Sequence, residues 1–151
     1  MLPIVLIIGS GVVALLFAII TAIRILKVDA GNQKMKEIGD AIQAGAAAFL
    51  KREYLILLPF VIVVGVLIGF LIDYYALGSV IPGTAISYLA GAICSATAGY
   101  IGMHVAVRAN VRTAASAMHG LNPALRVAFS SGTVMGMTVV GMGLIGVSVL
   151  W

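Results

Sequence analysis

The sequence predicts an all-α membrane protein with four transmembrane helices that form part of a larger helical bundle. Three observations carry that prediction. Of 151 residues, 62% are hydrophobic and only 9% charged, with a mean hydropathy of +1.19, a composition too apolar for a water-facing surface. Four apolar runs, at about 2–23, 54–72, 84–107 and 127–151, are each long enough for a bilayer core of about 30 Å at about 1.5 Å per residue. All nine basic residues fall in the segments that follow the first and third runs (Arg24, Lys27, Lys34, Lys36, Lys51, Arg52; Arg108, Arg112, Arg126). That asymmetry predicts both ends of the chain on the non-cytoplasmic side, with Asn32 and Ser116 opposite Ser79. No Pro/Ser-rich linker or internal repeat divides residues 1–151, which read as one domain.

The first run, Leu2 to Ile23, carries only Ser10 and Thr21 as polar interruptions. It lacks a basic leading segment and is too long for a signal peptide, so it reads as a span. Arg24 to Glu53 holds six of the nine bases and four of the five acids, and reads as a solvated loop with a helix in it. Met35, Ile38, Ile42, Ala46 and Phe49 recur at steps of three and four, so this helix is amphipathic and leads into the membrane. Gly39 and Gly45 weaken it by about 1 kcal/mol each relative to Ala, so packing must hold it.

The second span closes on Asp73-Tyr-Tyr75, whose phenols suit the headgroup layer, and Gly65 and Gly69 give it a close-packing face. A short connection from Ala76 to Gly83, with Gly78 and Pro82, predicts a hairpin of spans two and three. On span three, Gly91, Ser95, Ala98, Gly99, Gly102 and Ala106 leave one side nearly bare backbone, the surface through which membrane helices associate. Pro123 is expected to break any helix running on from Ala117. Span four repeats the small-residue device at Gly132 and Gly136 and extends it through Gly141, Gly143 and Gly146. The chain stops at Trp151, on the last residue of an apolar run, so a truncated protein is expected.

Several stretches carry a family resemblance. Ala90-Gly-Ala-Ile-Cys-Ser-Ala-Thr-Ala-Gly-Tyr-Ile-Gly-Met103 and Val105-Ala-Val-Arg-Ala-Asn-Val-Arg-Thr-Ala114 resemble the third span and following cytosolic turn of membrane-embedded, ion-pumping inorganic pyrophosphatases. Gly39 to Tyr54 resembles that family's entry into its second span, and Ala128-Phe-Ser-Ser-Gly-Thr-Val-Met-Gly-Met137 the start of its fourth. These motifs shape the fold and are not catalytic. The resemblance implies the N-terminal, outer-helix part of a multi-pass pump in a prokaryotic cell membrane. The full protein would hydrolyse pyrophosphate to two phosphates with magnesium, and potassium is a candidate second ion. It would export protons or sodium ions and form a homodimer. Chain length and charge pattern alone also fit a self-contained four-span transporter subunit or assembly factor.

The chemistry within these residues is sparse. Asp29, Glu37, Asp40, Glu53 and Asp73 are the only acids. Four sit in one loop and Asp73 lies a span of about 30 Å away, so they are not expected to converge on magnesium. No catalytic, cofactor-binding or metal-ligating residue is therefore assigned, and the segment alone is predicted inactive. Arg108 and Arg112, four apart, suit a phosphate, but anchoring a helix C-terminus is the simpler role. His104 fits a hydrogen bond to a neighbouring helix better than proton transfer. Lys51, Arg52 and Glu53 suit lipid headgroups or ion pairs. Met103, Met135, Met137 and Met142 read as packing, and the lone Cys94 forms no internal disulfide. Gly9-Ser-Gly11 has neither the strand nor the Lys of a phosphate loop, and the aromatic-laced basic stripe of a nucleic-acid binder is missing.

Overall fold

The structure, a computed structural model, describes residues 2–76, 78 and 81–150. Four long helices make up the chain: α1 (Leu2–Leu26), α2 (Gln33–Ile68), α3 (Gly83–Ala117) and α4 (Leu121–Leu150). α2 continues without a break into a π-helical segment, Gly69–Ala76. All four are long and apolar enough to cross a membrane, and no strand occurs among the described residues. Ser79 and Trp151, expected respectively opposite the basic loops and at the end of span four, lie outside the described residues.

The helices form a row. α1 packs on α4, α4 on α3 and α3 on α2, with only light contact between α1 and α3. Ala18 and Ile25 of α1, Val105 and Ala109 of α3, and Val127 and Val134 of α4 form the buried core. It lies toward the end of the bundle that carries the bases. Small and β-branched residues dominate because tight backbone approach, not hydrophobic expulsion, holds helices together in lipid. Thr97, Thr113, Thr133, Thr138 and Ser148 each donate their hydroxyl to the carbonyl four residues back, so these polar groups are satisfied within their own helix. Pro59 lies inside α2 and has no N–H to donate.

The helix expected within Arg24 to Glu53 forms, and both polar segments are more helical than a loop reading allows. The segment Arg24 to Glu53 contains only a short connection, residues 27–32, after which α2 rises directly into its apolar run. Asn32 caps that start by accepting from the Met35 N–H at 2.9 Å. α3 likewise runs on past Val107 to Ala117. α2 with its π-helical end spans 44 residues and α3 spans 35, so at about 1.5 Å per residue both exceed a bilayer core. Their overhangs pack on each other where a Cβ on Gly39 would stand 3.2 Å from Val111 Cβ.

That contact fixes the rotation of α2 and turns its apolar stripe away from α3. Ile38, Ile42 and Phe49 are 54%, 42% and 57% exposed, while Gly39 is buried. The glycine, not the aliphatic ridge, lets α3 approach. The break before α4 also differs from expectation. It falls at residues 118–120, where Gly120 has φ +124°, a conformation that favours glycine. Pro123 instead sits in the first turn of α4, where its missing N–H costs nothing.

Candidate functional site

Three polar side chains each tie one helix to the backbone of another. Arg112, on the overhang of α3, donates from Nε to the Val28 carbonyl at 3.1 Å and from Nη2 to the Leu26 carbonyl at 3.1 Å. Its Nη1 donates to the Arg108 carbonyl at 2.7 Å. The carbonyls at the end of α1 have no partner in their own helix, so a guanidinium there satisfies them and opposes the negative pole of the helix dipole. Sequence reasoning expected a helix-end anchor but placed it on α3 itself. The end it holds belongs to α1, 84 and 86 residues away in sequence.

Asp73 makes the corresponding tie at the opposite end. Its carboxylate accepts from the Thr84 N–H at 3.1 Å and the Ala85 N–H at 3.0 Å, and the residue is 1% exposed. An acid from the end of the π-helical segment thus caps α3, whose preceding residue, Pro82, offers no side-chain cap. Asp73 was expected at an interface, beside phenols. Tyr74 and Tyr75 are indeed 65% and 76% exposed, but the carboxylate turns inward. The signal was an acid ten residues before a helix start whose cap position, Pro82, carries no side-chain acceptor.

Tyr54 supplies the third tie, donating to the Ala96 carbonyl at 2.7 Å across α2 and α3. His104 makes no side-chain hydrogen bond among the described residues and stacks on Tyr100, centroids 5.9 Å apart. Arg108 donates to the His104 carbonyl at 3.2 Å. With all three nitrogens of Arg112 engaged, Arg108 and Arg112 do not form a paired phosphate clamp.

Glycines account for the closest helix approaches. Gly65 of α2 and Gly69 at the start of the π-helical segment face Leu89 and Ala85 of α3, the hairpin face expected for them. Gly102 lies against Met135, and Gly141 against Gly11. Gly132, Gly136 and Gly143 have nothing within 4 Å of an added Cβ, which corrects the packing face expected on α4. Its inward line instead runs Ser131, Val134, Thr138, Gly141, one position out of phase with the glycine pair.

Among the described residues no three His, Cys, Asp or Glu side chains gather closely enough to hold a metal ion. One of the five acids is occupied as a helix cap. The residues present therefore do not fit a magnesium–pyrophosphate centre, which needs several converging oxygen ligands. What this arrangement does is set the order and pitch of four helices.

Residues 12–151 match the family model described as inorganic H+ pyrophosphatase. The chain belongs to that family. A K(+)-insensitive pyrophosphate-energized proton pump of Methanosarcina mazei is 47% identical over 144 residues, covering 94% of this chain and 20% of the relative. A K(+)-insensitive pyrophosphate-energized proton pump 2 of Moorella thermoacetica is 42% identical over 143 residues, covering 95% of this chain and 20% of the relative. A Clostridium tetani protein, provisionally named a K(+)-stimulated pyrophosphate-energized sodium pump, is 45% identical over 128 residues, 85% of this chain and 18% of the relative. The chain thus spans about a fifth of the length of these relatives.

Proposed function

We propose that this chain is the N-terminal, non-catalytic wall of a pyrophosphate-energized cation pump. The whole protein would couple hydrolysis of pyrophosphate to two phosphates to export of protons or sodium ions. The observation that carries this reading is the family match across residues 12–151. The helix-to-helix ties at Arg112, Asp73 and Tyr54 suit a wall, since each fixes one helix against another and none presents a free reactive group. Magnesium and a homodimer enter through the resemblance to the family. They concern the whole protein and not a site on these residues.

The basic residues give the proposed orientation in a cell membrane. With all nine on one side, the helix ends near Asn32 and Ala117 face the cytoplasm and both chain ends face away. Ser116 is buried, so Ala117 is the better labelling site. After replacement of Cys94, single cysteines at positions 32, 117 and 79 would be treated with an impermeant thiol reagent on intact cells. Labelling at 79 alone is expected; labelling at 32 alone reverses the topology.

An exchange tests the functional reading. Residues 12–151 replace the matching segment of the Methanosarcina mazei relative, and magnesium-dependent phosphate release is compared for the hybrid, its parent and the 151-residue chain alone. The hybrid should hydrolyse pyrophosphate and the chain alone should not. Hydrolysis by the chain alone, persisting after removal of soluble pyrophosphatase, would overturn the assignment of a non-catalytic wall.

A further inference from the structure

Arg126 stands apart from the other bases. No Asp or Glu follows Asp73 in the sequence, so the whole of α3 and α4 carries cations without an acid of its own. Arg108 and Arg112 direct their guanidinium groups to backbone carbonyls. Arg126 has neither a hydrogen bond nor an ion pair among the described residues. It borders a notch of about 570 Å³ lined by Asn122, Leu125, Arg126, Phe129, Ser130 and Thr133, all on one face of α4. The six basic residues of the stretch Arg24 to Glu53 share it with four acids; this notch has none.

Its depth matters as much as its charge. Arg126 lies some ten residues from the middle of α4, roughly 15 Å, which is the edge of a bilayer core about 30 Å thick. Just inward, Phe129 is 72% exposed, apolar surface at the level where acyl chains begin. An unpaired guanidinium at that boundary, beside the Asn122 amide and above the exposed Phe129 ring, matches a phosphodiester with its tails.

We infer that the notch on α4 binds an anionic phospholipid, its phosphate held by Arg126 and Asn122 and its acyl chains lying along Phe129. The shared chemistry is a phosphate oxyanion. The apolar neighbours assign it to a lipid and not to free phosphate.

The test uses the purified 151-residue chain in detergent with an equimolar mixture of phosphatidylglycerol and phosphatidylcholine, retained lipid being counted by native mass spectrometry. The wild-type chain should keep phosphatidylglycerol in preference. Arg126→Gln should lower that preference about fivefold, the effect of one basic residue at a membrane surface. Arg126→Lys should restore part of it, and Asn122→Ala should weaken it without removing a charge. Circular dichroism checks that each variant remains helical; Arg126 is exposed, so folding should not depend on it. Lys34→Gln, at an exposed base on the start of α2, should leave the preference unchanged. Equal phosphatidylglycerol retention by wild type and Arg126→Gln would overturn the site, as would an equal loss in Lys34→Gln. Displacement of the lipid by millimolar inorganic phosphate would reassign the notch to the free ion and overturn the lipid.

Discussion

Gly11 of α1 and Gly141 of α4 meet backbone to backbone. A Cβ on Gly141 would stand 2.9 Å from the Gly11 carbonyl oxygen, and one on Gly11 would stand 3.1 Å from the Gly141 carbonyl oxygen. Ile145 and Leu15 crowd the same two positions, but the carbonyl oxygens are backbone, so no rotamer change relieves them and the two helices must part.

Gly141→Ala should therefore destabilise the bundle by about 1–3 kcal/mol, as overpacking does. Gly136→Ala, with nothing within 4 Å of the added carbon, should be neutral or stabilise by up to about 1 kcal/mol through helix propensity. Thermal unfolding in detergent separates the two. Equal midpoints for both variants would mean that the α1–α4 crossing is not where the backbones touch.

Arg112 gives the second prediction. Arg112→Ala should release the Leu26 and Val28 carbonyls and cost about 1.5–3 kcal/mol, the range for hydrogen bonds from a charged donor. Arg112→Lys should recover only part, since one ammonium does not reproduce a fork of donors. Hydrogen exchange of the Lys27 and Val28 amides, which close the last turn of α1, should quicken in the order wild type, Lys, Ala. Unchanged exchange in the Ala variant would show that α1 holds its own end.

The Asp73 cap predicts a graded series at the start of α3. Asp73→Asn keeps one acceptor but turns an NH₂ toward an N–H, so one of the two bonds is lost. Asp73→Ala loses both and leaves the Thr84 and Ala85 amides without the acceptor they now have. Exchange at those amides should rise from wild type through Asn to Ala. An Ala85 amide as protected in Asp73→Ala as in wild type would remove the cap from the account.

Much of this fold is legible from composition and spacing, because four uncharged runs and their flanking bases report length directly. The hairpin of spans two and three follows from Gly65, Gly69 and a short turn, and those glycines do face Leu89 and Ala85. What spacing does not report is helix rotation. Gly132 and Gly136 look like a packing pair, yet Val134 and Thr138 take the inward positions. Ile38 and Ile42 look like a core stripe, yet Gly39 faces α3. A period names a face without naming its neighbour, and in lipid an aliphatic ridge has no hydrophobic reason to turn inward. The ties made by Arg112, Asp73 and Tyr54 join residues 11 to 86 positions apart, and no local motif marks the acceptor.

Gly99 and Gly102, both on the small-residue side expected of span three, separate in the structure, and the last prediction uses that difference. A Cβ on Gly99 would meet only the Tyr54 hydroxyl oxygen, at 3.7 Å, an ordinary contact. One on Gly102 would stand 2.7 Å from Met135 Cγ and 3.3 Å from its Cβ. Gly99→Ala should therefore be tolerated, whereas Gly102→Ala should cost about 1–3 kcal/mol. The obstacle at Gly102 is a side chain, so Met135→Ala should remove most of that cost, which a double-mutant cycle of unfolding midpoints would read as coupling. Gly99→Leu is a different case: its bulk would push Tyr54 from the Ala96 carbonyl, so its effect should overlap that of Tyr54→Phe and not add to it. Additive losses for Gly102→Ala with Met135→Ala would show that α3 and α4 do not approach through this pair.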